Sequence, residues 1–321
     1  MQPKKYHLIQ ISMEKIIKPW TMKEGFLIGG GLIVAGLALQ LCVGAVMWEA
    51  LAWPVNGLVM AGFLAMIAFF FLLRKRVYVF QFISTYQAAI PTMVYAAALT
   101  IVMGLTKQEA NGTWLNDMLT FWPFVLIYVY MAVILGLTIL RRLAGINVKR
   151  RHDVGSLLKH DMPFLLNHLG LFLALTTATL GNADVQRLKM TTIVGESEWR
   201  AITPEGRIRE MPFAIQLKKF IMETYDDGSP KRYASEILVT RNQGDRSVIP
   251  VTVDVNKPCE VEGWKIYQYG YDTQMGDQSQ ISILELVSDP WLPLVYTGIY
   301  MMLAGAVCMF VTGGRKGTLK K

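Results

Sequence analysis

Residues 162–190 read MPFLLNHLGLFLALTTATLGNADVQRLKM, and the stretch changes character once, at Gly181-Asn182. Up to that point it is long and apolar enough for a helix that crosses a bilayer, which takes about 20 residues at 1.5 Å per residue. Beyond that point the chain turns polar. A single histidine, His168, lies near the start of the apolar part. The stretch therefore predicts a membrane helix that carries one imidazole and leads directly into a polar domain.

The composition of the whole chain agrees with a membrane protein. Hydrophobic residues make up 53% of the 321 residues, charged residues make up 17%, and the mean hydropathy is +0.34. Such a chain is too apolar for an ordinary soluble protein of this length. Stretches long enough to span a membrane occur at 26–47, 55–73, 77–105, 118–140, 163–181 and 291–312. We expect an integral membrane protein with about six transmembrane helices.

The distribution of Lys and Arg predicts how the chain crosses the membrane. Segments 1–24, 74–76, 141–162 and 313–321 hold 5, 3, 6 and 4 of these residues, 18 in all, whereas the short loops 48–54 and 106–117 hold only Lys107. Because Lys and Arg flank membrane spans on the cytoplasmic side, both termini are predicted in the cytoplasm. The long segment 182–289 then lies outside, and the net charge of +8 is a property of the membrane flanks rather than a nucleic-acid footprint.

The outer segment has the periodicity of β-strands. In MPFAIQLKKFIMET, residues 211–224, the apolar side chains of Phe213, Ile215 and Leu217 alternate with the residues between them, which indicates a half-buried strand. The Asp-Gly and Ser-Pro pairs of YDDGSPKRY, residues 225–233, are typical of a turn. Further extended stretches follow in ASEILVTR, SVIPVTVDV, GWKIYQYGYD and QISILELV. Short strands at this spacing predict one extracytoplasmic antiparallel β domain, a sheet or a sandwich.

These patterns divide the chain into seven predicted segments. They are a cytoplasmic N-terminal segment 1–24, four membrane helices within 25–141, a basic cytoplasmic loop 142–162, a fifth membrane helix 163–181, the extracytoplasmic β domain 182–289, a sixth membrane helix 290–312 and a basic cytoplasmic tail 313–321.

Three ordered motifs give the chain a resemblance to a known family. They are MPFAIQLKKFIMETYDDGSPKRYASEILV, then DVNKPCEVEGWKIYQYGYD, then LVSDPWLPLVYTGIYMMLAG. In this order they resemble the ResB/CcsB-type proteins of the system II pathway of cytochrome c biogenesis, over roughly residues 160–312. Five spans precede the domain here, whereas members of that family usually have three.

The resemblance implies a function in the bacterial inner membrane, with the β domain on the periplasmic side. Proteins of this type act with a CcsA-type partner to export haem and to join it, through thioether bonds, to the CxxCH cysteines of apocytochrome c. The tryptophan-rich haem-handling motif belongs to the partner, and the eight tryptophans here form no such cluster. The chain is therefore expected to be an accessory subunit of the synthase, with haem as its cofactor and no catalytic residue of its own.

His168 is the candidate haem ligand. It lies between one and two turns into its span, at the cytoplasmic end, where an ionisable side chain is a functional candidate by default. A neutral imidazole can ligate haem iron through one ring nitrogen, and the family resemblance implies a transmembrane histidine that shares a bis-histidine haem site with the partner. A histidine that only hydrogen-bonds a neighbouring helix is the alternative. Asn167 beside it is expected either to orient the ring or to pair with another helix.

Two further features of the outer segment have alternative interpretations. Tyr267, Gln268 and Tyr269 are candidates for contact with a partner or with apocytochrome c, although a core strand with outward tyrosines explains the pattern equally well. Cys259 is the one cysteine outside the predicted spans, and burial is a simpler interpretation than a free reactive thiol.

Two other functions compete with haem handling. The first is a non-catalytic membrane scaffold that stabilises a CcsA-type partner or binds apocytochrome c without holding haem. The second is a transporter or channel, which the near absence of ionisable residues from the spans other than His168 argues against.

Overall fold

A computed structural model describes residues 19–109, 112, 114–149, 161–241 and 247–313. The chain divides into two compact units, a helical unit of residues 1–183 with 293–321 and a β unit of residues 184–292. The basic stretches 1–18, 150–160 and 314–321, which the sequence predicts to be cytoplasmic, lie outside the described residues.

Seven α-helices are found in the described residues. They are α1 Met22–Val43, α2 Val55–Leu73, α3 Tyr78–Ile83, α4 Tyr86–Leu105, α5 Trp122–Lys149, α6 Met162–Gly181 and α7 Leu292–Gly313. All except the short α3 are long and apolar enough to cross a membrane. The predicted fold class, six membrane helices with an antiparallel β domain, is confirmed.

The predicted span 77–105 is wrong in one respect, because it is interrupted after its first turns. Helix α3 ends at Ile83, and α4 begins at Tyr86 after Thr85, whose backbone is extended. The Ser84 and Thr85 hydroxyls donate to the carbonyls of Gln81 and Phe82, at 2.8 and 2.6 Å. These side chains satisfy the carbonyl groups that the end of a helix leaves unpaired.

Contacts within the helical unit group its loops into two ends. At one end, Arg141 Nη1 donates to the carbonyl of Ser84 at 3.0 Å. At the other, the fully buried Asn56 donates from Nδ2 to the carbonyl of Leu180 at 3.2 Å. Consecutive spans therefore run in alternating directions, as expected for a chain that crosses a membrane repeatedly.

Glycines allow α1 to pack closely inside the helical unit. A Cβ at Gly36 would lie 2.6 Å from Cα of Pro123 in α5, and a Cβ at Gly29 would overlap the Tyr95 ring of α4. Within a membrane the hydrophobic effect does not drive helices together, so their association depends on close packing. Small residues allow that close approach. Gly29 and Gly36 thus serve packing within the chain.

The described residues of the β unit form one antiparallel sheet of eight strands. The strands are β1 Gln186–Ile193, β2 Ser197–Ile202, β3 Ile208–Thr224, β4 Pro230–Arg241, β5 Val248–Asp254, β6 Cys259–Val261, β7 Trp264–Tyr271 and β8 Ile281–Ser288. Their order across the sheet is β5-β4-β3-β2-β1-β8-β7-β6. The first and last strands of the unit are therefore neighbours in the middle of the sheet.

This central pair brings together the points where the chain enters and leaves the β unit. Gln186, the first residue of β1, pairs with Ser288, the last residue of β8. Just outside the pair, Trp291 Nε1 donates to Asp184 Oδ2 at 2.6 Å. A hydrogen bond to a charged acceptor is stronger than a neutral one, so this contact reinforces the junction.

The core of the β unit follows the alternation predicted for its longest strand. Phe213, Ile215 and Leu217 of β3 are fully buried, and the residues between them are half-buried. They pack with buried apolar side chains of the other strands, including Met190, Val239, Ile266, Leu284 and Leu286. The sheet thus buries one face of each strand, as its period of two requires.

Candidate functional site

His168 is the seventh residue of α6 and is half-buried. The helix begins at Met162, with Pro163 in its first turn, where the missing N–H of proline has no cost. His168 therefore lies between one and two turns into the span, at the end of the helical unit that holds Arg141 and Ser84, as the sequence predicts.

One ring nitrogen of His168 is already engaged. Nδ1 lies 2.8 Å from the main-chain carbonyl oxygen of Phe164, one turn earlier in α6. A carbonyl can only accept, so Nδ1 carries the proton in the neutral ring and Nε2 keeps a free lone pair. Within the described residues Nε2 has no hydrogen-bond partner. A metal-binding histidine has this arrangement, in which the non-ligating nitrogen donates to a carbonyl that orients the ring.

The imidazole is also stacked on an aromatic ring. The rings of Phe164 and His168 are 3.8 Å apart between centroids and inclined by 21°. On α5, the Arg142 guanidinium carbon lies 4.9 Å from the centroid of the Phe164 ring. Arg142 Nε in turn lies 2.6 Å from Oδ1 of Asp161, whose side chain is only 2% exposed. The ion pair, the Phe164 ring and the imidazole thus form one continuous contact path.

The packing of α6 against α7 leaves the histidine on a different side of the helix. A Cβ at Gly170 would lie 2.5 Å from the carbonyl oxygen of Gly298, and a Cβ at Gly305 would lie 2.6 Å from Nδ2 of Asn167. Asn167 also donates from Nδ2 to the carbonyl of Pro163 at 2.9 Å. Its amide thus donates within α6 and lies against Gly305 of α7, and both of its predicted roles stay predictions.

Among the described residues of this site, His168 is the side chain suited to bind a metal. Among the described residues no cluster of three or more His, Cys, Asp or Glu side chains is suited to a metal ion. A haem iron takes one axial ligand on each face, and a single imidazole with a free Nε2 can supply one of them. The free Nε2 of His168 is thus suited to be one axial ligand of a haem iron.

The three residues predicted to contact a partner do not share one surface. Tyr267 is half-buried, and Tyr269 is 54% exposed, with Lys189 Nζ 3.8 Å from its ring centroid. Gln268 instead faces the interior, where its amide oxygen accepts from Ser235 Oγ at 2.6 Å and its Nε2 donates to Ser282 Oγ at 3.1 Å. The polar atoms of Gln268 are thus paired within the β unit, and contact with a partner stays a prediction for all three residues.

A β-bulge follows Gln268 in β7 and explains the position of Tyr271. Gln268 pairs with Leu284, but Gly270 pairs with the adjacent Ile283, so Tyr269 is an extra residue in β7. The bulge shifts the alternation, and Tyr271 turns inward to stack on Phe220 at 4.8 Å. The glycine at 270 is the sequence signal that indicates such a bulge.

Cys259 packs as part of the β-unit core. It is half-buried on the short strand β6 against the buried cluster, and burial raises the pKa of its thiol to about 11. Burial disfavours the charged thiolate, which is the reactive form of cysteine. This placement supports the predicted burial and argues against a reactive thiol.

We expect Cys259 to resist alkylation in the folded protein. At pH 8 only roughly a thousandth of a thiol with so high a pKa is ionised, so labelling by iodoacetamide should be at least about tenfold slower than in the denatured chain. Peptide mass spectrometry of Cys259 before and after denaturation measures this ratio. Equal labelling rates in the two states would show that the thiol is accessible.

Comparison with known proteins confirms the resemblance predicted from the motifs. Residues 161–280 match the ResB-like family. Over 105 residues the chain is 30% identical to the cytochrome c biogenesis protein CcsB of Prochlorococcus marinus subsp. pastoris. This aligned region covers 32% of this chain and 23% of that protein. The chain thus matches about a quarter of the length of this curated relative.

The chain also aligns with the solved structure of the cytochrome c haem lyase CcmF, with a TM-score of 0.38 and 11% identity. The alignment covers 93% of this chain and 47% of the CcmF chain. So distant a likeness carries no argument about this protein.

Proposed function

We propose that this protein is a membrane subunit of a system II cytochrome c synthase and that His168 provides one axial ligand to the haem that the complex carries. The observation that carries this proposal is the engaged Nδ1 of His168, 2.8 Å from the Phe164 carbonyl, which leaves Nε2 free within an apolar helix. A polar nitrogen that faces hydrocarbon without a partner costs free energy, and a bond to iron would remove that cost. The match of residues 161–280 to the ResB-like family supports the same assignment.

The proposed orientation places His168 near the cytoplasmic leaflet and the β unit in the periplasm. The grouping of loops into two ends supports it, because Arg141 lies at the end opposite Leu180. Since positive flanks remain inside, the end with Arg141 is assigned to the cytoplasm of the bacterial inner membrane. Haem would then meet His168 soon after it enters from the cytoplasmic side.

Haem binding and haem attachment are proposed to be shared between this chain and other proteins. It provides one imidazole, so we assign the second axial ligand and the attachment site to a CcsA-type partner. The CxxCH thiols of apocytochrome c form the thioether bonds with haem on the outer face. The outward Tyr269 and Tyr267 of the β unit are the proposed contacts for the partner or for apocytochrome c. The chain itself orients and holds haem without a catalytic group.

His168→Ala is expected to remove most of the haem from the purified complex with its CcsA-type partner. The substitution deletes the ligand nitrogen but keeps an apolar helix, so assembly of the complex should be unchanged. The measurement is the Soret absorbance per complex, and added imidazole should restore part of it because a free imidazole can occupy the vacated position.

The matched control is His160→Ala, which changes a histidine in the basic segment that precedes α6. We expect wild-type haem content from this variant. The same haem content in His168→Ala as in wild type would remove His168 from the site and favour a scaffold that binds no haem.

A further inference from the structure

Phe164 and His168 form a stacked pair on α6. Phe164 lies one turn before His168, and residues four apart share one face of a helix. Their rings are 3.8 Å apart and nearly parallel, at 21°. The hydrogen bond to the Phe164 carbonyl fixes one nitrogen, and the stacked ring restricts rotation of the imidazole about that bond.

Phe164 also contacts a cation from a neighbouring helix. The guanidinium of Arg142 approaches the ring to 4.9 Å, a distance at which a cation is attracted to an aromatic face. Arg142 comes from α5, so this contact connects two helices. The orientation of Phe164 therefore depends on tertiary structure as well as on its own rotamer.

The buried carboxylate of Asp161 gives Arg142 a fixed position. Asp161 is 2% exposed and lies 2.6 Å from Arg142 Nε, whereas the Arg142 side chain is 37% exposed. Although Asp161 precedes the first turn of α6, its side chain does not cap the helix. A buried carboxylate requires a compensating charge, so the pair keeps the guanidinium beside the Phe164 ring.

We infer that Phe164 is a positioning residue for His168 and that Arg142, held by Asp161, secures it. The inference rests on the proposed function, since the direction of Nε2 matters most when it binds iron. Groups behind a ligating histidine set its orientation and basicity, and their loss commonly weakens a metal site. The plane of an axial imidazole also determines the g-values of low-spin ferric haem in electron paramagnetic resonance.

Phe164→Leu tests this inference in the complex with the CcsA-type partner. Leucine keeps the main-chain carbonyl and an apolar side chain but removes the aromatic ring. We expect haem to remain bound, the g-values to shift or become heterogeneous, and displacement by added imidazole to require about tenfold less imidazole. Phe164→Tyr, which restores an aromatic ring, should return both properties to the wild-type values.

Phe172→Leu is the matched control, because Phe172 is a phenylalanine on the same helix that packs in the apolar core with Ile67 and Leu137. A merely structural effect would appear in both leucine variants. Unchanged g-values and imidazole displacement in Phe164→Leu, or equal changes in Phe172→Leu, would overturn the inference.

A haem-free measurement separates this inference from the proposed function. In the chain purified without haem, the ring of Phe164 should shift the His168 ring protons upfield in the proton nuclear magnetic resonance spectrum, and Phe164→Leu should abolish the shift. A wild-type complex without haem would refute the proposed function, whereas the absence of that shift would refute the stacking itself.

Discussion

Gly298→Val is expected to prevent α7 from packing against α6. A Cβ at Gly298 would lie 2.6 Å from the Gly170 carbonyl oxygen and 2.7 Å from the main-chain nitrogen of Ala174. Both neighbours are backbone atoms of a helix, so neither can move without displacing the helix. Overpacking commonly costs about 1–3 kcal/mol, and we expect a cost at the upper end of that range or above it.

The consequence extends to the proposed haem site, because His168 is on α6. We expect a lower midpoint of thermal unfolding in detergent, together with a loss of haem from the complex. The matched control is Gly62→Val in α2, where a Cβ would meet nothing within 4 Å. A midpoint for Gly298→Val equal to that of the Gly62 variant would show that α6 and α7 do not depend on this close approach.

Phe213→Ala is expected to destabilise the β unit by about 3–5 kcal/mol. Phe213 is fully buried in the middle of β3, among the side chains of the core cluster. Removing its ring leaves a cavity that a sheet paired on both sides of β3 cannot close. Brief proteolysis of the full chain in detergent, over a series of urea concentrations, measures how readily residues 184–292 become cleavable.

Ile208→Ala provides the comparison on the same strand, since Ile208 is 68% exposed. We expect its cleavage midpoint to remain close to that of wild type. If Phe213→Ala unfolds at the same urea concentration as Ile208→Ala, the buried position of Phe213 in β3 is incorrect.

The spans and the long strand could be predicted because their signals are local. A run of about twenty apolar residues predicts a membrane helix wherever it occurs. The alternation of Phe213, Ile215 and Leu217 likewise predicts which face of the strand is buried. The interruption at Ser84-Thr85 cannot be predicted in this way, because the apolar composition of 77–105 does not indicate where the backbone hydrogen bonds of a helix end. Likewise the bulge at Tyr269 depends on its pairing with β8, which a single strand does not reveal.

The candidate site shows the same division. His168 stands out in the sequence as an ionisable residue in an apolar run, and Phe164 precedes it by one helical turn. Arg142 and Asp161 are 19 positions apart, on either side of a basic loop, and their pairing is visible only in three dimensions. Charge alone assigns Arg142 to the cytoplasmic flank, where Lys and Arg are common, so no local signal distinguishes it from its neighbours.

Because β1 and β8 are adjacent, the two ends of the β unit lie close together. Because Gln186 and Ser288 face each other and Asp184 joins Trp291, the chain leaves and returns at nearly the same point. Close termini are the condition under which one domain tolerates insertion into another. The β unit can therefore be lengthened, shortened or exchanged while the membrane helices keep their sequence and order.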